Sequence, residues 1–172
     1  MKRHISILLV AVGLLFASCD DLLSIINYDL DFATGELTIN SNDVTDTTYS
    51  LTSDLIDPMA ALEEVGIDSV GMISTAKVKT LSIELISPET GNFNWAKSAS
   101  VHIQREGEAP ELLGSIDLVP DGITMIDILG SELDVLPYIK GGAFKLIMEA
   151  TTDEQITVDH RVKVHTTFNV SL

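Results

Sequence analysis

From Ile156 to Leu172 the chain alternates at every residue. Ile156, Val158, His160, Val162, Val164, Thr166, Phe168, Val170 and Leu172 share one parity, and Thr157, Asp159, Arg161, Lys163, His165, Thr167, Asn169 and Ser171 share the other. Seven of the nine are apolar and all eight opposite are polar. Successive side chains of a strand point to opposite faces, so this pattern reads as a half-buried antiparallel strand, one face on a core and one in water. A segment so regular has to be integral to the fold, and it asks for further strands to cover it.

Those strands are found upstream. Ala143 to Ala150 reads as a strand, and Thr151 to Gln155 reads as the polar loop of a hairpin, so the last two strands are expected to pair. In Tyr28 to Ile39 the apolar parity switches across Gly35, from Leu30 and Phe32 to Leu37 and Ile39, as a bulge or bend requires. The same shift occurs in Ala76 to Ile86, where Val78 is followed by Leu81, Ile83 and Leu85. Ser100 to Arg105, Leu112 to Val119 and Ile123 to Ile128 complete the set, separated by Gly- and Pro-containing turns. Two short helical turns interrupt them: Asp57 caps one that begins at Pro58 and stops at Gly66, and Ser131 to Lys140 forms another, shortened by Pro137. Roughly seven to eight turn-separated strands predict an all-β fold, an antiparallel immunoglobulin-like β-sandwich with one or two short helical turns.

Charge narrows the partners. Ten Lys+Arg against 26 Asp+Glu give a net charge of −16, which repels phosphate backbones and leaves no basic groove for nucleic acid. A hydrophobic content of 45% over 172 residues is ample for one core, which argues against intrinsic disorder.

The other end of the chain has a different character. Lys2 and Arg3 precede an apolar run from Ile5 to Phe16, followed by Ala17, Ser18 and Cys19. The run is about 18 Å long as a helix, short of the roughly 30 Å hydrocarbon layer, so it reads as a signal peptide and not as a permanent membrane span. Phe16-Ala17-Ser18-Cys19 resembles the bacterial lipobox, in which the cysteine receives a diacylglycerol thioether and becomes the mature N-terminus. Phe16 stands where that pattern prefers Leu. The resemblance implies a signal peptide over 1–18, a lipidated tether over 19–27 and one β-sandwich domain over 28–172. It also implies a membrane anchor at Cys19 and a bacterial cell-envelope location. Removal of Lys2 and Arg3 leaves 8 Lys+Arg against 26 Asp+Glu, a balance of −18. Asp20 and Asp21 follow the cysteine directly, as in small uncharacterised lipoproteins of Bacteroidota type, where such acids resemble a signal for export to the outer membrane or cell surface. An acylated Cys19 leaves the mature domain without any cysteine, so burial alone must hold it together.

Little in the rest of the chain points to chemistry. No Gly-x-Ser-x-Gly elbow occurs, and no catalytic residue, cofactor or metal ligand set is assigned. His160 and His165 fall on opposite strand faces and cannot share a metal, and His160 reads as a neutral core residue. Asn40, Asn42, Asp43 and Asp46 lack the order of a calcium loop and read as a polar turn. Phe93 and Trp95 form the one aromatic pair beside a polar loop. On the surface they would bind a glycan or peptide; in the core they would only fill one end of the sandwich. The chain is thus expected to be a non-catalytic binding or structural accessory of the envelope, whose partner is an envelope protein or a glycan. The alternatives are a carbohydrate-binding or adhesion module using Phe93 and Trp95, and a carboxylate-based hydrolase.

Overall fold

A computed structural model describes residues 26–172; the expected signal peptide, Cys19 and nearly all of the tether lie outside these. Ten strands form two antiparallel sheets packed face to face, so the all-β sandwich is the architecture observed. One sheet runs β1 (Asn27–Ala33), β10 (His160–Ser171), β4 (Thr75–Ser87), β7 (Met125–Asp127), with β2 (Leu37–Ile39) also on β10. The second runs β3 (Thr48–Thr52), β9 (Phe144–Thr152), β5 (Ala96–Arg105), β6 (Glu111–Ile116), β8 (Leu129–Gly130). The chain changes sheet between β2 and β3, β3 and β4, β4 and β5, β6 and β7, β7 and β8, and β9 and β10. Among the described residues only β5 and β6 form a hairpin of adjacent strands. That connectivity is a jelly roll, which refines the immunoglobulin-like expectation within the sandwich class. Helix α1 (Pro58–Glu64), a 3-10 turn (Val70–Met72) and α2 (Leu136–Lys140) are the short helical pieces.

The parity shifts read from the sequence are real irregularities. β1 and β2 both pair with β10, but Leu30 faces Phe168 while Leu37 faces Val162, a change of one residue in register across 34–36. In β4 the register slips at Thr167/Phe168, so that Thr80 and Val78 face consecutive residues of β10 and Lys79 is squeezed out. Each bulge returns the following apolar residues to the core side. Asp57 caps α1 as expected: its Oδ1 accepts the Met59 N–H at 2.9 Å, with Pro58 in the first turn and Gly66 beyond the end at φ +77°.

The expected pairing of the last two strands does not occur. β9 lies between β3 and β5, whereas β10 lies between β1 and β4 in the other sheet. Alternation says that a strand has one buried face, but two such strands can meet either edge to edge or face to face across the core. Here they meet face to face: Phe144 of β9 and Phe168 of β10 stack at 6.1 Å, with Phe32 against both. Asn42 bridges Ile156 in the connecting loop, which leaves Val158 exposed and starts the regular alternation only at His160. From there His160, Val162, Val164, Thr166, Phe168 and Val170 are all buried.

Phe168 is wholly enclosed, and its truncation leaves a cavity, so Phe168→Ala is expected to cost about 3 to 5 kcal/mol. Lys163→Ala on the wet face is expected to change stability by less than about 0.5 kcal/mol. Urea midpoints of the two variants check the pair.

Candidate functional site

One end of the sandwich gathers the loops 88–95, 120–123 and 153–159. Gly91 turns the first of these tightly: a Cβ there would lie 2.9 Å from the Pro88 carbonyl oxygen. Asn92 Oδ1 then accepts the Asn94 N–H at 3.1 Å, and Asn94 Oδ1 accepts the Gly122 N–H at 2.6 Å, tying the second loop to the first. Trp95 O accepts the Asp153 N–H at 3.2 Å and ties in the third. The amide NH₂ groups of Asn92 and Asn94 remain free of protein partners in these contacts. With Trp95, Gln155, Thr157 and His160 they line an open depression of about 290 Å³.

Phe93 and Trp95 do not present a contact surface. Phe93 is 1% and Trp95 5% exposed, their ring centroids lie 5.7 Å apart, and Trp95 packs on His160 at 5.4 Å. Both sit in the turn that leads into β5 and fill the end of the core, so the core-filling reading holds and they form no exposed aromatic platform. Trp95 Nε1 is buried without a hydrogen-bond partner among the described residues, an orphan donor at the floor of the loop cluster.

His160 is the buried histidine expected from its parity. Its Nδ1 lies 2.8 Å from the Val158 carbonyl oxygen, to which it donates, leaving the Nε2 lone pair unprotonated in the neutral ring. Burial holds its pKa below the ordinary value of 6.5, opposed by the Val158 hydrogen bond and by Asp159. His165, on the other face, pairs through Nε2 with Glu84 at 2.9 Å, and Ser82 is its neighbour in register. Among the described residues no group of three or more His, Cys, Asp or Glu converges to hold a metal.

The opposite end holds two adjoining depressions of about 240 and 350 Å³ around Arg105. There the guanidinium is committed: Nε donates to Glu108 at 2.9 Å, NH1 to the Pro137 carbonyl at 3.1 Å, and the group lies 5.7 Å above the Tyr138 ring. Burial, then Glu111, pushes the Tyr138 hydroxyl up to about 12.

The sequence reading missed β3 altogether. Thr48-Tyr49-Ser50-Leu51-Thr52 has strand-forming residues and alternation, but it is too short and too weakly apolar to stand out beside a run of Asn and Asp.

No protein-family model matches the chain, and no curated protein does. Among solved structures, a chain from Desmodium yellow mottle tymovirus is similar at 10% identity over 86% of this chain and 89% of its own, with a TM-score of 0.30.

A histidine whose native pKa is depressed lets the unfolded chain take up its proton first. The stability from neutral His160 is therefore complete above about 6.5 and declines as pH falls from there through the lower native value. The urea midpoint is expected to drop between about pH 7.5 and about pH 5, and to drop less in His160→Gln.

Proposed function

We propose that this chain is a lipid-anchored protein of the bacterial cell envelope, held at Cys19 after removal of residues 1–18, that acts as a binding or structural accessory without catalysis. The observation that supports it best is the placement of the two ends. Asn27 pairs with Ser171 at one end of β10, and Ile39 pairs with His160 at the other. The eleven steps from His160 to Ser171, at about 3.3 Å each, separate them by roughly 36 Å. A chain tethered just before Asn27 therefore holds the Trp95–His160 depression away from the bilayer, where a partner in the envelope can reach it.

The lining of that depression suits hydrogen bonding to a polar partner, an envelope protein or a glycan, through Asn92, Asn94, Gln155 and Thr157. Only Glu154 contributes a carboxylate there, whereas a carboxylate-based hydrolase needs two. No described helix is long and apolar enough to cross a membrane; the attachment proposed, a lipid at Cys19, is supported by Phe16-Ala17-Ser18-Cys19. Two or three acyl chains hold a bilayer far better than one myristoyl group, and no second anchor is needed. Asp20 and Asp21 favour the outer membrane or the cell surface.

Cys19→Ser is expected to move the protein from the detergent phase to the aqueous phase in a detergent-partitioning experiment and to release it from membranes. Equal partitioning of the two forms would contradict the anchor.

A further inference from the structure

We infer that the outer edge of β3 is a docking site for an extended segment of a partner protein, which adds to the sheet as a further antiparallel strand with cationic residues at its two ends. The inference goes beyond the anchored reading and does not depend on Cys19.

β3 is the edge of its sheet, paired only with β9. In this register Ser53 N–H donates to Leu146 O at 2.9 Å and Thr152 N–H donates to Thr47 O at 3.0 Å. Backbone groups alternate in direction along a strand, so Thr47, Tyr49, Leu51 and Ser53 turn toward β9, and Thr48, Ser50 and Thr52 turn their N–H and C=O outward. No backbone or side-chain partner meets those outward groups among the described residues. They form a row of free donors and acceptors about 17 Å long, the template used in strand addition.

The other edges are defended. β1 exposes the backbone of Asn27, Asp29, Asp31 and Ala33, but it carries two charges, the carboxylates of Asp29 and Asp31, held over the outer face of the sheet by Lys79, Asn169 and Thr167. On the far side of the sandwich β7 and β8 are three and two residues long, and β8 closes against β4, where a Cβ on Gly130 would meet Val78 at 2.9 Å. β3 alone is five residues long without a charge, a proline or a bulge. Tyr49 and Leu51 remain half-buried, so an added strand with apolar residues on the inner side would finish covering them.

Charge at the two ends chooses the occupant. A second copy pairing antiparallel about Ser50 would bring Asp46 of one chain against Asp54 of the other at both ends. Glu149, in register with Ser50 on β9, adds a third carboxylate. Lys97 lies 3.9 Å from Asp46, and Lys145 on β9 makes no ion pair with Asp54. A chain of net charge −16 repels its own copy and draws a cationic segment, so the occupant is a foreign strand with Lys or Arg opposite Asp46 and Asp54 and uncharged residues between.

The test titrates the full-length protein with the probe peptide Lys-Ser-Thr-Val-Thr-Val-Thr-Ser-Lys, with a version carrying Glu at both ends, and with the lysine version N-methylated at alternate amides. Binding of the lysine peptide alone is expected. Ser50→Pro, which removes an N–H that the native sheet does not use, is expected to abolish that binding with the urea midpoint unchanged. Asp46→Asn with Asp54→Asn is expected to weaken it roughly three- to tenfold. Should Ser50→Pro fail to fold, the N-methylated peptide carries the same decision from the ligand side, because loss of its binding shows that the backbone ladder is what binds. Failure of the lysine peptide to bind, or equal binding of all three peptides, overturns the inference. So does a full-length dimer that Ser50→Pro converts to monomer, since the edge would then belong to a second copy.

Discussion

Burial of the inner face of β10 is what the rest of the structure is arranged around. Its six inward residues, from His160 to Val170, meet the inner faces of β9 and β5 across the core, and its backbone is paired with β1 and β2 on one side and β4 on the other. Each fully buried side chain of this size contributes roughly 1.5 to 3 kcal/mol, comparable in sum with the whole stability of an ordinary domain. The polar members of that face are bonded: Thr166 Oγ1 donates to Thr80 O at 3.0 Å, and His160 to Val158 O at 2.8 Å. Because the strand spans the sandwich from end to end, it also sets Asn27 at one end and the polar depression at the other.

Much of this was legible in the sequence, because strand periodicity is a local property. The alternation from His160 to Val170, the parity shifts at Gly35 and after Val78, and the Asp57-Pro58 helix start each leave a mark within a few residues. What could not be read was which strands lie side by side. The polar loop after Ala150 looks the same whether it returns the chain beside its predecessor or carries it to the opposite sheet, and the difference is decided by Phe144, Phe32 and Phe168 meeting in the core. β3 escaped notice for a related reason: an edge strand buries little, so its apolar signal is weak.

The candidate site was only partly legible. The pairing of Phe93 with Trp95 was visible, but the turn before β5 that carries both inside was not, and the polar side chains around them are what a partner would meet. Asn92, Asn94 and Gln155 gave no signal as single residues, since amides are common in loops; the crossing of three loops brings them together. The proposed anchor at Cys19 rests wholly on sequence, whereas the proposed display of the opposite end rests on the length of β10. The described domain contains no cysteine, so its core alone holds it together.

Amide hydrogen exchange followed residue by residue tests the central position of β10 most directly. A strand paired on both sides has no free backbone donors, so the amides from Val162 to Val170 are expected to exchange only through global unfolding, odd and even positions alike. In β3, by contrast, Tyr49 and Leu51 should be protected while Thr48, Ser50 and Thr52 exchange fast. Rapid exchange at every second residue of β10 would mean that it is an edge strand, and would contradict the sandwich built around it.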